Sequence, residues 1–175
     1  GNGSGVHFIT GDGSSKPNGV IVAAGTTRQV TGGTYSSANG PTADQLINLF
    51  YTVTEPYANQ GEWLLRRATL GKVRSLKDNN GQYLWQPSLQ IGQPETILGH
   101  AVVTDPNVPA AGTLATTVAF GDFSAYKIRD VGSLRFERSD EFAFANDLVT
   151  FKCAIRTDGD LLDTSGAIGT FVQGT

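Results

Sequence analysis

Two hydrophobic periods alternate along this chain, and together they predict a sheet-rich molecule with a few short helices. Glu62-Trp-Leu-Leu-Arg66 is a compact strand-like run, after which Thr69 to Lys77 places Leu70, Val73 and Leu76 at helical spacing with Lys72, Arg74 and Lys77 turned outward. Asp78-Asn-Asn-Gly81 is a turn, because Asn and Gly tolerate positive φ, and the chain reverses there. Tyr83-Leu-Trp85 is then extended and aromatic, Pro87 and Pro94 punctuate a loop, and Leu98-Gly-His-Ala-Val-Val103 reads as a buried strand ending at Asp105-Pro106. The stretch Glu62 to Asp105 is therefore the expected centre of the core.

Before it, Val6-His-Phe-Ile9 and Val20-Ile-Val-Ala23 read as strands between turns at Gly11-Asp-Gly13 and Lys16-Pro-Asn-Gly19, and Thr31 to Gly40 reads as a surface loop or hairpin. The clearest helix follows Pro41: Thr42 can cap it, Gln45 stands three residues on as in a capping box, and Leu46, Leu49, Phe50 and Val53 form one apolar face up to Glu55-Pro56. After the central stretch, Thr117–Phe120, Ala125–Ile128 and the alternating Leu134–Arg138 are expected to be neighbouring strands. Residues 149, 151, 153 and 155 are apolar at period two, which predicts a half-buried strand from Val149 to Arg156. Asp158-Gly159 turns the chain, and Ala167-Ile168 and Phe171-Val172 form a final extended tail.

Composition narrows the function classes. The 39% hydrophobic content and 22 glycines favour strands and turns over a helical bundle. Thirteen basic against sixteen acidic residues, a formal charge of -3, exclude a dedicated nucleic-acid binder and leave only weak contact with DNA. The single cysteine, Cys153, permits no internal disulfide and fits synthesis in a reducing compartment. No apolar run approaches the roughly 18 residues of a membrane span, so no membrane partner is expected. The absence of methionine suggests a fragment or a processed product.

Candidate chemistry is sparse. His7 and His100 lie in no metal-binding spacing, and Cys153 falls on an apolar strand face where a thiol behaves as a small hydrophobe. Ser14, Ser15, Ser36 and Ser37 sit in turns, no serine lies in GxSxG, and Gly11-Asp-Gly13 is followed by no phosphate-loop lysine. The carboxylate pairs Asp140-Glu141, Asp158 with Asp160, and Asp122 near Asp130 flank turns; Asp158-Gly-Asp160 lacks the further ligands of a calcium loop. No catalytic, cofactor or metal residue is assigned.

In order along the chain, Gly11-Asp-Gly13 with Lys16-Pro17, Trp63-Leu64 with Thr69-Leu70, Leu76-Lys77-Asp78 with Gly81-Gln-Tyr-Leu84, Gly92-Gln-Pro94 with Leu98-Gly99, Ala119-Phe-Gly-Asp-Phe123, and Phe151 to Arg156 with Asp158-Gly159 resemble the C-terminal half to two-thirds of a tailed-phage major capsid protein of the HK97-like family. The resemblance implies an α+β fold, with an axial domain of central sheet and flanking helices at residues 40–146, and peripheral-domain parts at 1–39 and 147–175. It implies a structural, non-enzymatic role. Copies would form hexamers and pentamers enclosing double-stranded DNA in the virion, assembled in the bacterial cytoplasm with a possible scaffold or maturation protease. Alternatives are a bacterial nanocompartment shell protein and, from another class, a β-rich ligand-binding or hydrolytic domain. The family's N-terminal arm, extended loop and spine helix have no counterpart here, so the chain is expected to fold without closing shells. Some relatives cross-link a lysine to an asparagine with help from a glutamate. The strand pattern aligns Asp147 with that asparagine and Ala154 with that glutamate, which implies no cross-linking unless the alignment slips to Asn146.

Overall fold

The computed structural model describes residues 4–34, 40–78, 80–84 and 95–175. Its centre is a six-stranded mixed sheet built from β1 (Gln29–Thr34), β2 (Glu62–Leu65), β3 (Thr96–Ile97), β4 (His100–Thr104), β5 (Thr116–Gly121) and β8 (Ile168–Gly174), in the order β1-β8-β5-β2-β4-β3. Strand β8 runs parallel to β1 and antiparallel to β5, and β2 runs antiparallel to β5 and parallel to β4. Three of the four inner strands, β2, β5 and β8, are buried along nearly their whole length because both of their faces are covered.

Strand alternation sorts the inner side chains into two cores. Trp63, Leu65, Val118, Phe120 and Phe171 point to one face, which is covered by α3 (Ala43–Thr52) and α5 (Arg67–Arg74) through Leu46, Leu49, Val53, Leu70 and Val73. Leu64, Ala119 and Ile168 point to the other, where α2 (Val20–Ala23), Val108, Ala167 and Leu161 close over them. Trp63 satisfies its buried indole N–H by donating to the Ile97 carbonyl at 2.9 Å. The predicted capping box is present in both directions: the Gln45 amide donates to the Thr42 hydroxyl, and the Thr42 amide donates to the Gln45 side chain. The predicted apolar face of α3 lies on the sheet that carries Phe120 and Val102, as its spacing implies.

Several expectations fail for identifiable reasons. Val6–Ile9 and Val20–Ala23 are helical, in α1 (Ser4–Thr10) and α2, since short apolar runs bear no period that separates strand from buried helix. Thr31 to Gly40 is not all loop: its start belongs to β1, where Gly32 lets the Phe171 ring approach so closely that a Cβ would stand 2.7 Å from the ring. The helix after Pro41 does end ahead of Glu55-Pro56, at Thr52, but a separate helical turn, α4 (Glu55–Ala58), opens there, because proline in a first turn lacks only an N–H that would be unpaired anyway. Leu98–Val103 is not a buried strand. Leu98 and Gly99, at φ 51 and 82, turn the β3–β4 hairpin at the sheet edge, and Val103 is exposed. The expected tail is β8, a buried inner strand, because Ile168 and Phe171 supply opposite cores at once. Trp85, Pro87 and Pro94 lie outside the described residues.

The largest departure is the ribbon. The runs at Ala125–Ile128 and Leu134–Arg138 belong mainly to one long strand, β6 (Tyr126–Ala143), which leaves the central sheet and pairs antiparallel with β7 (Leu148–Leu161) in a two-stranded sheet of its own. By sheet, β1 and β8 join the strands of residues 62–121, and β6 joins β7.

Candidate assembly surfaces

The ribbon owes its two faces to strand alternation. In β7 the odd positions run Val149, Phe151, Cys153, Ile155, Thr157, Gly159, Leu161, and the ladder sets Phe136 opposite Cys153 and Arg135 opposite Ala154. Leu161 and Gly159 are buried, with Leu161 anchored in the second core beside the part-buried Tyr126. From Ile155 outward the same face continues without cover among the described residues. Phe136 is 65% exposed, and Phe151 and Ile155 are each 59% exposed. Phe136 and Phe151 stack with ring centroids 5.5 Å apart, so the uncovered face is preformed. This corrects two expectations: the strand Val149–Arg156 is not half-buried in this chain, and Cys153 is exposed rather than packed.

The even face is charged. Lys127 stands opposite Asp160, Arg129 opposite Asp158 and Glu137 opposite Lys152, and opposite charges across a ladder stabilise the pairing. At about 3.3 Å per residue, the uncovered outer part of β7 projects a little over 20 Å from the globular part. A large apolar stripe on a projecting element marks an interaction surface. A second apolar hollow, of about 210 Å³, lies between α3 and the β3–β4 hairpin, lined by Leu46, Ile47, Val73, Leu76, Ile97 and Leu98.

The residues singled out for chemistry are dispersed into structural roles. His100 Nδ1 lies 2.9 Å from the Gly61 carbonyl oxygen, with its ring against Phe50 and Phe120. His7 sits in α1, where its carbonyl accepts the Gly11 amide. Asp122 accepts the Ser124 amide at 2.8 Å, Asp140 pairs with Arg138, and Asp160 accepts the Asn18 side-chain amide at 2.9 Å. Among the described residues no cluster of three or more His, Cys, Asp or Glu could hold a metal. Two shifted groups serve as latches. The Ser165 hydroxyl and amide, joined by the Tyr57 hydroxyl, hold the Asp163 carboxyl below its ordinary value and tie α4 to the loop before β8. Burial, with Asp160 and Asp158 nearby, pushes Tyr126 up to about 12 while its hydroxyl donates to the Asn18 carbonyl. The alternating pattern marked the ribbon's apolar face in the sequence, but no signal there showed that the face lacks an intramolecular cover.

Comparison with known proteins follows the same line. The family model for the phage capsid family matches residues 3–170. Among solved structures, the capsid of a native GTA particle computed with C5 symmetry superposes with a TM-score of 0.79 at 28% identity, over 98% of this chain and 61% of that one. The capsid of the empty GTA particle gives 0.77, also at 28% identity and the same coverage. A chain from Mycobacterium phage Bobi, at 17% identity, shares the fold with a TM-score of 0.62, over 98% of this chain and 60% of that one. The chain thus spans about three-fifths of the length of these structures. Comparison with the curated proteins gave no match. The superpositions support the α+β, HK97-like fold, and a match across residues 3–170 decides the family: the chain belongs to the phage capsid family.

Proposed function

We propose that this chain is the shell-forming part of a phage or prophage major capsid protein, a structural and non-enzymatic subunit whose copies associate into hexamers and pentamers around double-stranded DNA. The observation that carries the reading is the ribbon: a preformed aromatic and aliphatic face, uncovered in the single chain, on an element that projects from a closed core. The GTA capsids at 28% identity supply the context of a symmetric shell. In this reading the uncovered face is buried in the assembled shell, where stable contacts bury about 1,200 to 2,000 Å². Packaged DNA is touched weakly, as the net charge of -3 implies. A scaffold and a maturation protease are the further partners, and assembly takes place in the host cytoplasm before the subunit resides in the virion. No covalent cross-linking accompanies it, since Asp147 is no amide and Ala154 cannot take a proton.

The test is expression of the complete gene, with electron microscopy and sedimentation velocity of the product. Closed particles of megadalton size are expected. The double variant Phe136→Ser, Phe151→Ser should abolish them while leaving the circular dichroism of the subunit unchanged. Soluble monomers carrying a bound small ligand, or a double variant that assembles like the parent, would overturn the reading. Denaturing gels of the particles should show a single monomer band and no ladder.

A further inference from the structure

The charged face of the ribbon contains one place where the cross-strand pairing of opposite charges breaks down. Between Val131 and Arg135 the β6 strand carries extra residues, with Gly132 at φ 78, and the bulge opens a hollow of about 360 Å³. Arg135, Lys152 and Arg156 line it together with Ser133 and Ala154. The ladder explains why the three cations converge. Arg135 is directly opposite Ala154, so its same-face diagonal neighbours are Lys152 and Arg156, at about 7 to 8 Å and within reach of long side chains. Ala154 is the small floor between them.

Glu137 pairs with Arg135 at 2.7 Å and lies opposite Lys152, while Asp158, two residues from Arg156 on the same face, stands opposite Arg129. The two neighbouring cations of the same face, Lys127 and Arg129, each have their own aspartate opposite, and Arg156 has Val131 instead. The hollow is therefore lined by three cations and no carboxylate, in a chain whose net charge is -3. Like charges held together on a solvent-facing sheet oppose folding unless an anion joins them. Two guanidinium forks and an ammonium suit a tetrahedral oxyanion, because each fork donates two parallel N–H groups.

We propose that this hollow is a phosphate-binding site, with Arg135, Lys152 and Arg156 as its ligands and the Ser133 hydroxyl within the same hollow. The shared chemistry is that of a phosphate, as a free ion or as one link of a nucleic-acid backbone. It lies on the face opposite the apolar stripe, and the site stands whether or not the chain builds shells.

The experiment uses the chain in its dissociated form at pH 7. Amide resonances are followed during titration with sodium phosphate, with sodium chloride and sodium acetate at matched ionic strength as references. Saturable shifts confined to the amides of Gly132, Ser133 and Ala154 with phosphate alone are expected, and they should disappear in Arg135→Gln, Arg156→Gln. Both side chains are solvent-facing, and the urea midpoint of each variant verifies the fold. Fluorescence anisotropy with a 20-base-pair duplex separates the sources. If the backbone phosphate is the ligand, the slope of log K against log salt falls by about 1 for each cation removed, and Arg67→Gln on α5 leaves it unaltered. If free phosphate is the ligand, the amide shifts occur without that change in slope. Shifts equal to those given by chloride or acetate, or shifts that survive in the double variant, overturn the proposal.

Discussion

Leu49→Ala tests whether α3 is welded to the sheet. Leu49 is fully buried in the core that also holds Val53, Trp63, Phe120 and Phe171. Removing three carbons forfeits about 2.4 kcal/mol at about 0.8 kcal/mol per CH₂. The walls are poorly placed to follow: β8 approaches through Gly169, where a Cβ would already stand 3.0 Å from Leu49 Cδ1. A residual cavity of about 60 Å³ adds about 1.4 kcal/mol at about 24 cal/mol per Å³. The expected loss is thus about 4 kcal/mol, which in a chain of this size lowers Tm by about 8 to 16 °C. Urea unfolding followed by tryptophan fluorescence measures it, since Trp63 lies in the same core. Asn48→Ala, on the exposed side of the same helix, should stay within about 0.5 kcal/mol. A loss below about 0.5 kcal/mol for Leu49→Ala would show that α3 is peripheral and that the packing argument is wrong.

Gly121→Ala should cost about 3 kcal/mol in the same urea assay, because φ is 153 and a Cβ there would press on the Ala167 carbonyl and stand 2.7 Å from Ile168 Cα; a neutral result would mean that the β5–β8 contact yields easily. Asp163 has its folded pKa depressed by Ser165 and Tyr57, so its stabilisation is present above the unfolded value near 3.8 and is lost as pH falls through the folded value. Asp163→Asn should flatten that acid limb of the stability curve, and an unchanged limb would refute the latch. Tyr126 is raised to about 12, so its contribution is present below pH 10 and fades as pH rises from there toward 12; Tyr126→Phe should remove the highest-pH step from the absorbance titration of the tyrosines.

The parts of the fold that were legible in the sequence are those where local chemistry and tertiary packing agree. Thr42 and Gln45 announce a helix start whatever follows, and the spacing of Leu46, Leu49 and Val53 leaves only one face for burial. Trp63 and Leu65 against Leu64 likewise fix opposite sides of a strand. Legibility fails where the deciding partner is remote in sequence. Val20–Ala23 is helical because Leu64, Ala119 and Ile168 offer it an apolar floor, and nothing within four residues records that. Ile168–Val172 is central because it supplies two cores at once, a property of the sheet rather than of the segment.

The ribbon shows a finer division of information between its two faces. A buried face normally fixes strand register, because a slip by one residue turns every side chain over. Here the odd positions of β7 outward from Thr157 are covered by none of the described residues, so burial among them cannot hold the outer half in place. The charged face can. A slip by two residues keeps each side chain on its face, yet past the bulge it would set Arg135 directly opposite Lys152 in one direction and opposite Arg156 in the other, where the native ladder gives it Ala154. Before the bulge, a slip in the first of these directions would replace the pair Arg129 with Asp158 by Arg129 with Arg156. Like charges directly across a ladder are destabilising, so the even positions exclude the nearest alternatives while the odd positions stay available for contact. The same arrangement leaves Arg135, Lys152 and Arg156 as diagonal neighbours around Ala154: the register that avoids three like charges in direct opposition is the one that gathers them around a hollow.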